Sequence, residues 1–345
     1  MDKQLFYVCA MTPEDCRGGI LGFILDEKRV PHAQFHLPFC GCNYLAYSVD
    51  RRYLYSTCII DGAGGAAAFR IQADGSLELL NKLSTLGRSC CHLTAAPGGE
   101  YLYCANYFTS NLSEFALAAD GSLEKLSRNI IFTGHGVHER QEVPHPHFVQ
   151  FTPDNRQLIL VDLGLDAIKL FEFDPESGLI NPDRPVICRI EPGGSGPRHL
   201  VFNSSGNTAY LVNEIGNSVC VLDFCGGRFK CRQILSTLPD DCSVYSKAAA
   251  VRLSPDERFL LVSNRGFDSI VTYKVQDDGS LQLQDFISSG GVSPRDINFL
   301  PDGKTLAAGN EFSDGLVFFD YDPEYGKLQY NGHTVTLPRP LAIYW

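Results

Sequence analysis

The chain holds one tryptophan, no uninterrupted apolar stretch of about 18 residues and no excess of basic charge. Without the apolar stretch no transmembrane helix is expected. The N-terminus, Met1-Asp-Lys-Gln-Leu-Phe-Tyr-Val-Cys, lacks a basic region followed by a long apolar run, which predicts a first strand rather than a signal peptide. A net charge of −11 argues against a general nucleic-acid binder, which needs a basic surface. No Gly-x-Gly-x-x-Gly or Walker motif occurs, and Gly193-Gly-Ser-Gly196 lies between predicted strands with no helix to follow. No Gly-x-Ser-x-Gly elbow occurs either, so no covalent nucleophile is nominated. Cys40-Gly-Cys42 and Cys90-Cys91 are too close for a zinc ribbon and have no second pair at ligand spacing. The 13 cysteines therefore read as small apolar strand residues of a reducing cytoplasm. Neither a metal nor a cofactor is expected.

What the chain does have is a repeat. A hydrophobic strand, an Asp/Gly turn and a second strand recur along its length. His147-Phe-Val-Gln-Phe, the turn Pro153-Asp-Asn and Gln157-Leu-Ile-Leu-Val-Asp162 form one copy. Arg198–Asn213, Ala250–Asn264 and Arg295–Asn310 are the next, with Tyr44–Cys58 and His92–Asn106 before them. The second strands end at Ala10, Cys58, Asn106, Asp162, Asn213, Asn264 and Asn310, at spacings of 48, 48, 56, 51, 51 and 46. A period near 50 made only of short strands predicts a seven-bladed β-propeller, an all-β fold with one blade per repeat. Because the repeat fills residues 1–345, a single domain is expected. The 44% hydrophobic content supplies buried sheet faces, and 32 Gly with 19 Pro suit a turn-rich fold.

Turns such as Asp74-Gly-Ser-Leu77, Asp120-Gly-Ser-Leu123 and Asp278-Gly-Ser-Leu281 mark further hairpins with glycine at positive φ, giving four antiparallel strands per blade. The first blade lacks an opening strand. The C-terminal Pro338-Arg-Pro-Leu-Ala-Ile-Tyr344 resembles Pro197-Arg-His-Leu-Val-Phe202 and Pro294-Arg-Asp-Ile-Asn-Phe299, so it is expected to pair with the N-terminal blade. That alignment sets Arg339 beside Arg198 and Arg295.

In an antiparallel hairpin the start of one strand lies beside the end of the next. Aligned copies therefore put His147, Arg198 and Arg295, at first-strand starts, on the same rim as Glu214, Arg265 and Glu311, just past second strands. The recurrent strand-end Asn/Asp, and Asp166, Asn217, Asp268 and Asp314 a few residues on, occur in most blades and read as scaffold. Residues that break the repeat are the candidates for chemistry. Several arginines at one mouth of an acidic protein fit a small anionic ligand, since guanidinium grips carboxylate or phosphate through paired hydrogen bonds. A histidine and a glutamate beside them supply acid–base capacity.

Gly196-Pro-Arg-His-Leu-Val-Phe followed by Ala209-Tyr-Leu-Val-Asn-Glu214, with Val161-Asp-Leu-Gly-Leu-Asp166 and Ser263-Asn-Arg-Gly-Phe-Asp268, resembles the lactonase family of seven-bladed propellers. That family contains propeller-type 6-phosphogluconolactonases and 3-carboxy-cis,cis-muconate lactonizing enzymes. The resemblance covers essentially the whole chain. It implies His147, Arg198, Glu214 and Arg265 as site residues; of the whole rim set, Glu214 and His147 are expected to be catalytic, and Arg198, Arg265, Arg295 and Glu311, with the adjoining His199, to bind substrate. The implied activity is hydrolysis of a sugar lactone, foremost 6-phosphogluconolactone. A lactonizing cycloisomerase and a non-catalytic binding scaffold are the alternatives. The expected partner is a small anionic lactone, with no nucleic acid and no membrane, in a monomer or weak homo-oligomer.

Overall fold

The computed structural model describes residues 5–11 and 17–345. Its strands form seven antiparallel sheets, and no helix occurs among the described residues. This is the strand inventory of a seven-bladed β-propeller. The chain clusters into two compact units: Met1–Phe39 with His199–Asp223 and Cys231–Trp345, and Cys40–Arg198 with Phe224–Lys230.

Blades two, three and four belong to the second unit. Blade two comprises Leu45–Tyr47, Tyr53–Ile60, Ala63–Ile71 and Leu77–Ser84; blade three comprises Cys90–Ala95, Tyr101–Asn106, Asn111–Leu117 and Leu123–Ile131. Blade four runs Pro146–Phe151, Gln157–Asp162 and Ala167–Asp174, and its last position is split between Leu179–Ile180 and Val186–Arg189, which both pair with Ala167–Asp174. Second strands such as Gln157–Asp162 are buried throughout, as suits continuous β-branched and leucine runs. Last strands such as Leu123–Ile131 keep about every second side chain exposed. Successive sheets press face to face. Tyr55, Ala66 and Ala68 of blade two meet Leu93, Leu102 and Phe115 of blade three, and Tyr103 and Leu112 meet Val149, Leu160 and Phe171 of blade four. Burying each such Leu, Val or Phe stabilises by roughly 1.5–3 kcal/mol.

The first unit contains blade six (Lys247–Leu253, Phe259–Arg265, Ser269–Val275, Leu281–Ser288) and blade seven (Pro294–Phe299, Thr305–Asn310, Gly315–Asp322, Lys327–Thr336). It also contains most of blade five (Pro197–Phe202, Thr208–Asn213, Ser218–Cys225, Arg228–Ser236). Blade one has the order Pro340–Tyr344, Leu5–Ala10, Gly19–Leu25, Pro31–Pro38. Its packing continues the series, with Phe6, Val8 and Ile343 against Ala307, Leu316 and Phe318.

The Asp-Gly-Ser turns take the expected form. Gly75, Gly121 and Gly279 have φ of 86°, 82° and 77°, and the serine N–H after each donates to the aspartate at 2.9, 3.1 and 2.8 Å. The serine hydroxyls also donate, which is the main cause holding the Asp120 and Asp278 carboxyls below their usual range. At Gly121 a Cβ would stand 2.4 Å from the Tyr53 ring, so the turn of blade three seats on blade two only without a side chain.

The C-terminal strand opens blade one as expected: Tyr7, Val8 and Cys9 pair with Tyr344, Ile343 and Ala342. The register, however, corrects the alignment of Arg339. Pro340, not Pro338, pairs with the second-strand end Ala10, as Pro294 pairs with Asn310. Leu341 is thus the counterpart of Arg295, and Arg339 stands one residue ahead of the strand. Two prolines bracket this arginine, and the sequence alignment took the wrong one. Trp345 completes the seam by donating its indole N–H to the Phe299 carbonyl.

One cysteine departs from expectation. Eleven are free and most of those are buried, as small apolar packing requires, whereas Cys40 is disulfide-bonded.

Candidate functional site

A β-bulge seats the first group of candidates. In blade three the pairing skips from Cys90 to His92, in blade four from Pro146 to Phe148, in blade seven from Pro294 to Asp296, and in blade six from Ala248 to Val251. The residues left out of the ladder are Cys91, His147, Arg295 and Ala249–Ala250. In blade one the omitted residue is Leu341. An unpaired bulge residue bends its strand and re-aims its side chain. His147 and Arg295 are thus presented by the same backbone device, which holds apolar residues elsewhere.

The second seat follows the second strand. Its N–H is bonded to the residue just ahead of the first strand: Tyr107 to Ser89, Leu163 to His145, Glu311 to Ser293 and Met11 to Arg339, at 2.9–3.1 Å. Asp or Asn residues in the left-handed conformation brace this turn from the preceding blade. Asp166 accepts from Gly194 and Gly196, both at 2.7 Å, Asp268 from Ser293 at 2.7 Å and Asp314 from Arg339 at 3.0 Å. The reading of these residues as scaffold agrees with that role, and through them Asp166 positions the approach to Arg198.

In the first unit the second seat carries Glu214, Arg265 and Glu311. Arg265 Nη2 meets Glu214 Oε2 at 2.7 Å, with side chains only 7% and 6% exposed. At that distance and burial the interaction is a strong charge-assisted hydrogen bond joining blade five to blade six. Arg265 also donates to the Ala248 carbonyl at 3.4 Å. Glu311 takes two arginines: Arg339 Nη2 at 2.6 Å and Arg295 Nη1 at 3.7 Å. Here the guanidinium groups are more open, Arg339 at 37% and Arg295 at 24% exposure. His199, expected beside them, is buried within Pro197–Phe202.

In the second unit His147 and Arg198 are buried. Tyr107 packs its ring edge-on to His147 at 5.7 Å and stacks on His145 at 4.3 Å. The His145 ring Nδ1 lies 2.9 Å from the Tyr107 carbonyl, and its backbone N–H donates to Asp162 at 2.8 Å. Asp162 also accepts from Gly164, Leu165 and the Lys169 ammonium, the last at 2.9 Å. Burial pulls the Lys169 ammonium below its ordinary range, with Asp162 opposing the shift. Asp162 is therefore a structural anchor beneath the His147 strand.

A third set of positions partners the second seat: His145 and Arg339 just ahead of the first strand in blades four and one, and Lys247 at the head of that strand in blade six, where it pairs with Arg265 as the Arg339 carbonyl takes the Met11 N–H. Sequence reasoning set Arg339 one place off and did not nominate Lys247. Their signal was faint, because the bulge that follows leaves no mark in the hydrophobic pattern.

Comparison with known proteins identifies the family. The family model described as Lactonase, 7-bladed beta-propeller matches residues 16–345. The 6-phosphogluconolactonase of Bacillus subtilis is 34% identical over 99% of this chain and 98% of its own length. The periplasmic gluconolactonase of Pseudomonas aeruginosa has a structure that superposes with a TM-score of 0.90 at 28% identity, covering 98% of both chains. A crystal structure of a protein from Lactobacillus plantarum superposes with a TM-score of 0.91 at 29% identity, over 99% of both chains.

Proposed function

The chain belongs to the lactonase family of seven-bladed β-propellers and is an enzyme of the carboxylic ester hydrolase class, and on that premise we propose that it hydrolyses 6-phosphogluconolactone to 6-phosphogluconate. The observation that carries the assignment of chemistry is the buried Glu214–Arg265 pair. Opening a lactone needs a base to deprotonate water and a cation or donor to steady the oxyanion that forms. Glu214 takes a proton from water, and the oxygen attacks the lactone carbonyl carbon. Arg265, hydrogen-bonded to Glu214 through Nη2, fixes that carboxylate and offers positive charge to the developing oxyanion. Collapse of the tetrahedral intermediate breaks the bond to the ring oxygen, which takes up the proton and leaves as a hydroxyl on the same molecule. In the second unit, the bulge residue His147 is retained as an acid–base candidate and the buried Arg198 as a substrate-binding one. The compartment favoured by this reading is the cytoplasm, on the eleven free cysteines.

The test is a pH-stat assay of the phosphorylated and unphosphorylated gluconolactones with the wild type, Glu214→Gln and His147→Ala. Acid release by the wild type and its loss in a Glu214→Gln protein that still unfolds cooperatively supports the reading. Release of acid from neither lactone, or full turnover in both variants, overturns it.

A further inference from the structure

Glu311 is one carboxylate shared by two guanidinium groups. Among the described residues neither Arg295 nor Arg339 has another acidic ion-pair partner, so the cluster carries one unit of positive charge in excess. Its donors are also under-used. Arg295 stands 3.7 Å from Glu311, too far for a hydrogen bond, and Arg339 spends one Nη on Glu311 while its buried Nε has no acceptor. The neighbouring carboxylates are otherwise engaged. Asp314 accepts the Arg339 backbone N–H, and Asp296 takes Arg252 and the Ile343 N–H.

The backbone at Arg339 is unusual too. Its φ is +39°, in the left-handed region that a long side chain seldom adopts and that persists where the surroundings hold it. Asp314 takes its N–H at 3.0 Å, and the Met11 N–H donates to its carbonyl at 3.1 Å. The exposed ring of Phe312 lies 5.8 Å from its guanidinium carbon. A surface ion pair needs none of this, since such pairs add little to stability.

The geometry points to Arg295 and Arg339 as the clamp for a phosphate monoester on the lactone substrate, with Glu311 as the internal counter-ion that orients both forks. This rests on the lactonase reading and names the group that sets its specificity. A dianionic phosphate matches two forks with one excess charge better than a neutral hydroxymethyl group does. Arg339 is then a specificity-determining residue contributed by the turn into the C-terminal strand, while Glu214 performs the same chemistry on either lactone.

Two measurements test it. Isothermal calorimetry with inorganic phosphate is run on the wild type, Arg339→Ala, Arg339→Lys and Arg295→Ala, each checked by its melting temperature. Kinetics on the phosphorylated and unphosphorylated lactones give the ratio of their kcat/KM values. Loss of charge-assisted hydrogen bonds should weaken phosphate binding and lower that ratio by about 10- to 100-fold in Arg339→Ala, with Arg339→Lys between it and the wild type. Should Arg339→Ala fail to fold, Arg339→Gly, which suits the left-handed backbone, carries the same comparison. Equal phosphate binding by wild type and variant, no phosphate binding by the wild type, or an unchanged selectivity ratio overturns the clamp. A wild type that binds phosphate in an Arg339-dependent way but hydrolyses neither lactone would sink the lactonase reading and leave the anion site standing.

Discussion

Glu214 and Glu311 occupy the same seat, the residue after a second strand, two blades apart, and they are used in opposite ways. Glu214 lies in a closed arrangement in which it and Arg265 are both almost fully buried. Glu311 is equally buried, but its two arginines reach it from more open positions. One seat thus yields a carboxylate held rigidly out of bulk water, as a base requires, and a carboxylate that holds cations available to a ligand. What differs is where the arginine originates. Arg265 comes from the same seat of the next blade, whereas Arg339 comes from the residue ahead of a first strand, at the joint between the two ends of the chain.

That joint gives the most severe way to break the comparison. Deleting Leu337–Trp345 removes Arg339 and unpairs Leu5–Ala10 while baring the face of blade seven. We expect loss of cooperative thermal unfolding; a truncated protein melting like the wild type would mean that the seam is dispensable. Next in size, Glu214→Gln should lower kcat by about 10²- to 10⁴-fold, the usual range for removing a general base. Glu311→Gln should instead raise KM for a phosphorylated lactone with little effect on kcat. Equal kcat losses in the two variants would erase the distinction.

Stability sharpens the contrast further. Arg265→Met strands a buried carboxylate, for which a cost of about 3–5 kcal/mol is expected by chemical denaturation. Arg339→Met removes a partly exposed partner and should cost about 1 kcal/mol or less. Similar costs would show that Glu311 depends on Arg339 as Glu214 does on Arg265. The smallest effect is expected for Arg339→Gly. Relief of the left-handed backbone offsets the lost ion pair, so its melting temperature should stay within a few degrees of the parent. A large drop would mean that the guanidinium is structural.

The fold was legible because its signals are local and repeated: the Leu/Ile/Val runs of second strands, the Asp-Gly-Ser turns and the strand-end Asn/Asp recur often enough to be aligned with one another. The opening strand supplied by the C-terminus was legible from Pro-x-x-Leu-x-Ile alone. Arg339 was misplaced because a bulge adds a residue without leaving a mark in the hydrophobic pattern, so the alignment anchored on Pro338 where the ladder pairs Pro340. Cys40 was misread for a different reason. A disulfide depends on which loops meet, and spacing does not carry that information. The pairing of Arg265 with Glu214, 51 residues apart, became visible only once the strand ends were superposed.

The repeated bulge divides the labour within the blades that carry it. Since its residue takes no part in the ladder, Cys91, His147, Arg295 and Leu341 can differ in charge, size and polarity while the strands beside them pair in the same register. The scaffold thus behaves as a set of interchangeable sockets whose fittings vary independently. A histidine at position 341 or an arginine at position 91 would enter through the same opening in the backbone. New chemistry in such a molecule needs only a change of occupant, with no new architecture.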